Sequence, residues 1–214
     1  MELVIEKVKE YIKKHMMDES SGHDYWHVMR VYHNAQLLMR EEKANVNANV
    51  VQLAALLHDI GDYKITGSDD TQIGIPKAIL EELNVDSNII KQVLQIIGEI
   101  SFHQQTEKLS SLESQIVQDA DRLDAIGAIG IARAFAYGGA KGRQIWNPEE
   151  PPKLKMSKEE YMRNKGNSIN HFYEKLLLLK DRMNTDAGKK IAKERHRFME
   201  IYLEQFFLEW NGER

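Results

Sequence analysis

The sequence predicts an all-α protein. Two observations carry that expectation. Apolar residues recur at spacings of three and four through most of the chain, and no segment alternates apolar and polar residues as a half-buried strand does.

Taken in order, Leu3, Val4, Val8, Tyr11 and Ile12 form a first helical stripe, and Val28, Val31, Tyr32, Ala35 and Leu38 a second. Further helices are expected over Val46–His58, over Pro76–Leu83 with the proline in the first turn, and over Ser87–Phe102. Leu112–Tyr137 reads either as one long helix bent near Gly127 or as two shorter ones. The C-terminal third reads as two long helices, about Lys158–Met183 and Asp186–Trp210. Two loops interrupt this series, Lys64–Gly74 and Gly138–Ser157, the second holding three of the four prolines. A connection of about 20 residues inside a compact domain is functional or disordered. No repeat, low-complexity tract or linker divides the 214 residues, so one domain is expected.

Composition narrows the function. With 42% hydrophobic and 29% charged residues the chain can bury a core without a disulfide or structural metal. The absence of cysteine excludes disulfide frameworks, thiolate zinc sites, iron–sulfur clusters and a cysteine nucleophile. Met1–His15 lacks the continuous apolar run of a signal peptide, and nowhere do 18 apolar residues run together. A cytoplasmic protein without membrane partners is expected. The net charge of −4 argues against a dedicated nucleic-acid binder. It conceals an asymmetry: 13 basic against 21 acidic residues before position 141, and 16 against 12 from there on. The basic part could face a compact anion such as phosphate, although scattered charges on solvated helix faces would give the same counts.

Chemistry concentrates in short segments. His27 opens the second apolar stripe. His58-Asp59 follows the apolar run Leu53-Ala54-Ala55-Leu56-Leu57, and Asp121 sits among Ile116, Val117, Ala120, Leu123 and Ile126. Ionised groups beside such runs are expensive to desolvate unless paired or bound to a metal. Three helices each offering His or Asp at an apolar boundary is what a metal site in a helical bundle requires.

The order H…HD…D resembles the HD-domain superfamily of metal-dependent phosphohydrolases. The segments His23–Val31, Gln118–Arg133, Phe135–Gly139 and His171–Leu176 resemble a narrower group within it, the small bacterial YpgQ/YedJ-like HD hydrolases, and the likeness covers nearly the whole chain. It implies a single HD domain over 1–214, a helical bundle with its metal core at about 20–135 and a C-terminal helical extension. It also implies His27, His58, Asp59 and Asp121 as ligands of one divalent ion. Asp119 is the rival of Asp121. Residues two apart on a helix point about 200° apart, so one of them faces the ion. Asp121 matches the family's Ala-Asp-x-Leu pattern, which leaves Asp119 to a supporting position. Asp24 is placed to cap a helix and to orient His27.

Two imidazoles and two carboxylates suit Mn²⁺, the preferred ion, and also Ni²⁺, Fe²⁺, Zn²⁺ or Mg²⁺. Such an ion lowers the pKa of water towards neutrality and polarises a P–O bond. The resemblance implies that Asp62, three residues after Asp59, positions or deprotonates the attacking water or protonates the leaving group; relatives often carry Glu there. Lys64, Arg143 and Lys175 are candidate phosphate contacts, with His103 and His171 beside them.

The function implied is hydrolysis of (deoxy)nucleoside triphosphates to monophosphate and pyrophosphate. A nucleotide phosphomonoesterase or phosphodiesterase is the alternative within the same chemistry, and a non-catalytic metal- or nucleotide-binding regulatory HD module the alternative outside it. The Phe206-Phe207-Leu208-Trp210 end reads as core or as the surface of a homodimer.

Overall fold

The computed structural model describes residues 1–17, 24–43, 45–60, 71–100, 109–157, 160 and 163–213. Among these residues every regular element is helical. The elements are α1 (Glu2–Met16), α2 (Tyr25–Glu42), α3 (Ala48–Leu57), α4 (Thr71–Glu82), α5 (Ser87–Ile100), α6 (Leu112–Asp124), α7 (Gly127–Ala140), α8 (Ser168–Glu174), a 3₁₀ helix (Leu176–Arg182) and α9 (Asp186–Trp210). The all-α expectation holds. The chain divides into two compact units, Met1–Asp121 and Arg122–Arg214.

The first unit is organised around α3. Seven of its ten residues, from Val50 to Leu57, are buried, and a helix apolar on nearly every side belongs at the centre of a core. It packs against α1, α2 and α5. These helices turn Ile5, Val8 and Ile12, then Val28, Val31 and Leu38, then Val93, Ile96 and Ile97 inward. Asn47 starts α3 by accepting from the backbone N–H groups of Asn49 and Val50, which sets the start two residues later than periodicity alone suggested. In α5, Glu99 accepts from Ser114 Oγ at 2.8 Å and from the Ser110 backbone at 3.1 Å, holding the start of α6 against α5.

One expectation here needs correction. Pro76 stands inside α4, in its second turn, because the helix begins at Thr71. The proline forgoes one ladder bond. Its ring is nevertheless buried on the face that carries Ile79 and Leu80, where packing compensates.

In the second unit, α6 ends at Asp124 and α7 begins at Gly127, which settles the Leu112–Tyr137 segment as two helices. Gly127 has φ +75°, a conformation other residues adopt at a cost, and Arg195 lies where its Cβ would be. Arginine side chains hold the end of α6 in place. Arg195 donates to Leu123 O at 2.6 Å, Arg133 pairs with the Asp124 carboxylate at 2.6 Å, and Arg122 donates to Arg182 O.

The expected long helix Lys158–Met183 is also corrected. Residues 164–167 are not helical and Asn167 caps α8 by accepting from Asn170 N at 2.9 Å, so the expected helix is broken there and α8 begins at Ser168. After Glu174 the chain tightens into the 3₁₀ helix, in which Leu176 and Leu179 are buried three residues apart, one turn of that geometry. The loop predicted from Gly138 starts instead at Lys141, because α7 runs on to Ala140. The loop is tied down: Ser168 N donates to Gln144 O, Asn170 Nδ2 to Glu150 O, and Lys153 N to the Glu174 carboxylate. No helix among the described residues is long and apolar enough to cross a membrane.

Candidate metal centre

Three helices of the first unit bring four chemical groups together. The buried α3 ends at His58-Asp59, so its C-terminal turn delivers an imidazole and a carboxylate to the interior, both 7% exposed. The carbonyl end of a helix also favours positive charge. On α2, His27 shares one face with Val31, Asn34 and Leu38 at spacings of four, three and four, and is buried. Asp24 caps that helix, accepting from the His27 backbone N–H at 2.7 Å, so it fixes the backbone that carries the imidazole. On α6, Asp121 is half exposed, at 47% of its side chain, whereas Asp119 is fully enclosed and has partners there.

The polar atoms converge. Asp59 Oδ2 lies 3.1 Å from His27 Nε2 and 3.3 Å from His58 Nε2. Asp121 Oδ1 lies 3.5 Å from His27 Nε2 and 4.0 Å from His58 Nε2. The two rings meet edge to face, with centroids 5.4 Å apart. His27, His58 and Asp59 can each offer a ligand atom within 4.8 Å of the others. Donors sharing an ion at about 2.0–2.3 Å stand about 3–4 Å from one another, which is the spacing found.

The tautomer of His58 supports the same fit. Its Nδ1–H donates to the Ala55 carbonyl at 2.8 Å, leaving the lone pair on Nε2. That Nε2 is buried and faces the Asp59 carboxylate, 3.3 Å away. Burial pushes the imidazolium down, but the Asp59 carboxylate, its hydrogen bond and Asp121 outweigh it and raise the His58 pKa to about 9. The cluster therefore attracts positive charge, which is the demand a divalent cation meets.

Asn34 was not singled out from the sequence, although a polar residue on an apolar stripe was a visible signal. Its Nδ2 donates to Ala120 O at 3.1 Å, tying α2 to α6 at the residue before Asp121. Of the other candidates, Asp62, Lys64 and His103 lie outside the described residues. Arg143, His171 and Lys175 lie together in the second unit: burial, with Lys175 and Arg143 beside it, lowers the His171 pKa to about 4. Arg143 donates to Asn164 O at 2.8 Å and stands over the Tyr137 ring.

Comparison with known proteins agrees with this arrangement. Residues 25–126 match the HD domain family. YpgQ of Bacillus subtilis is 37% identical over 203 residues, covering 94% of this chain and 90% of YpgQ. The crystal structure of YpgQ in complex with ADP superposes with a TM-score of 0.74 at 34% identity, covering 94% of this chain and 95% of that one. An HD-superfamily hydrolase from Bacillus thuringiensis is 44% identical with a TM-score of 0.79, covering 98% of both chains. A protein from Lactobacillus plantarum superposes at 0.81 with 37% identity over 99% of both. The HD-domain match over residues 25–126, together with likeness to these relatives over nearly their whole length, places the chain in the HD-domain superfamily of hydrolases.

Proposed function

We propose that this chain is a metal-dependent nucleotide phosphohydrolase that converts (deoxy)nucleoside triphosphates to the monophosphate and pyrophosphate. The observation that carries the reading is the convergence of His27, His58, Asp59 and Asp121, with His58 Nε2 buried and its other nitrogen already committed. The binding of ADP by YpgQ supports a nucleotide as the ligand.

In this reading the four side chains hold one divalent ion, Mn²⁺ by preference. The ion supplies Lewis acidity, lowering the pKa of water and drawing charge from a phosphoryl oxygen. His27 and His58 are held by Asp24 and by the Ala55 carbonyl, so they meet the ion without reorganising. Asp59 and Asp121 balance its charge, and the exposed side of Asp121 marks where solvent and substrate approach. Asp62 holds or moves the proton of the attacking water. Lys64, Arg143 and Lys175 neutralise phosphate oxygens. His171, neutral at physiological pH, and His103 offer hydrogen bonds to them.

The test follows the bond that breaks. In ¹⁸O water, attack at the α-phosphorus puts label into the nucleoside monophosphate and none into pyrophosphate. Label in inorganic phosphate released from monophosphates would instead make the protein a phosphomonoesterase. Asp62→Asn should retain metal while kcat falls by about 10²–10⁴-fold; unchanged turnover removes Asp62 from the chemistry.

A further inference from the structure

Helix α9 has two apolar faces and the fold uses one of them. Ala192, His196, Met199 and Leu203 are buried. On the opposite side Ile191, Glu194, Phe198, Ile201, Gln205 and Leu208 follow one another at spacings of three, four, three, four and three. Phe198 and Ile201 at its centre are 50% and 47% exposed. Ile191 and Leu208 at its ends are half-buried. Alternating three–four spacing is the seam of a coiled coil. The neighbouring aromatic residues do not cover it, since Phe206 and Phe207 turn to Trp146, with centroids 6.3 and 5.0 Å away.

We propose that this seam is a homodimer interface, in which α9 pairs antiparallel with α9 of a second copy about a two-fold axis between Met199 and Glu200. The register is self-complementary. Ile191 faces Leu208 of the second copy, Glu194 faces Gln205, and Phe198 faces Ile201, so each layer pairs apolar with apolar or carboxylate with amide. The same register sets Arg197 opposite Glu204 of the second copy. These side chains flank the seam, are well exposed, and lie 3.7 Å apart within one chain. Each pair occurs twice by symmetry, as a two-fold contact requires. A parallel pair would instead set Glu194 against its own copy and Glu204 against Glu209, so charge selects the antiparallel arrangement.

The seam is about 26 Å long at 1.5 Å per residue. One helix pair of that length buries less than the roughly 1,200 Å² at which standard interfaces begin, so the dimer forms in the micromolar range, about 1–100 μM.

Sedimentation velocity of the full chain from about 1 to 500 μM tests this. The expected result is a concentration-dependent shift from monomer to dimer. Phe198→Glu, at an exposed position, should weaken association by about 100-fold while leaving the circular dichroism spectrum unchanged. Arg197→Glu and Glu204→Arg should each weaken it by about 3–10-fold, and the double reversal should restore it to within about threefold. That cycle keeps the proposal testable even if Phe198→Glu folds poorly. A monomer across the whole range overturns the proposal. So does a dimer that these three substitutions leave intact, because the contact then lies elsewhere.

Discussion

At the scale of single residues, the centre depends on who holds the holders. His58 is oriented by the Ala55 carbonyl, His27 by its capped helix start, and Asp121 by the bond from Asn34 to the carbonyl before it. Asn34→Leu should therefore do two things. Loss of the buried bond should destabilise the fold by about 1–3 kcal/mol in denaturant titration. Metal affinity should fall by about 10–100-fold with all four ligands intact. Affinity equal to that of the unmodified chain would reduce Asn34 to a packing residue. His171 yields a pH prediction. Its pKa near 4 lies below its ordinary 6.5, so it folds neutral. The stability tied to it is complete above about pH 6.5 and is lost as pH falls from 6.5 towards 4, because the unfolded chain takes the proton more readily. His171→Gln removes this linkage. Its stability loss between pH 7 and 4.5 should be smaller than that of the parent by about 1–3 kcal/mol, read from urea midpoints at each pH.

At the scale of elements, what could be read in the sequence followed how local its cause was. The His-Asp pair at the end of an apolar run announced α3 because burial on all sides leaves a nearly continuous apolar string. The stripes of α1 and α2 were visible for the corresponding reason. Lys158–Met183 was misjudged because Leu176-Leu177-Leu178-Leu179 satisfies three residues per turn as well as 3.6, and tertiary packing chose the former. Pro76 was misplaced because α4 begins five residues before it, at Thr71, ahead of the proline that reads as a first-turn residue. The break after α6 remained open between a bend and a stop, and the turn before α7 decides it. A Cβ at Gly130 would run into the Ala125 carbonyl, and one at Gly127 into Arg195. Gly130→Ala should therefore cost about 2 kcal/mol or more in thermal or chemical unfolding, against the slight gain that alanine brings in an open helix. A neutral or stabilised variant would show that this turn has room to relax.

At the scale of the whole molecule, the convergence of His27, His58, Asp59 and Asp121 was legible from residue types and the resemblance, while the supporting bonds needed the fold. Nothing in the spacing of Asn34 and Ala120, 86 residues apart, says that they meet. The choice of Asp121 over Asp119 is the sharpest point of the account. Both carboxylates belong to one helix, yet Asp121 Oδ1 stands 3.5 Å from His27 while Asp119 is fully enclosed. The most direct measurement is metal content after dialysis against Mn²⁺ and removal of free ion, determined by mass spectrometry for the parent and for His27→Ala, His58→Ala, Asp59→Ala, Asp121→Ala and Asp119→Asn. The account predicts about one ion per chain in the parent and in Asp119→Asn, and a small fraction of that in the other four. A parent chain that binds no ion, or an Asp121→Ala variant that keeps its full equivalent, would contradict it.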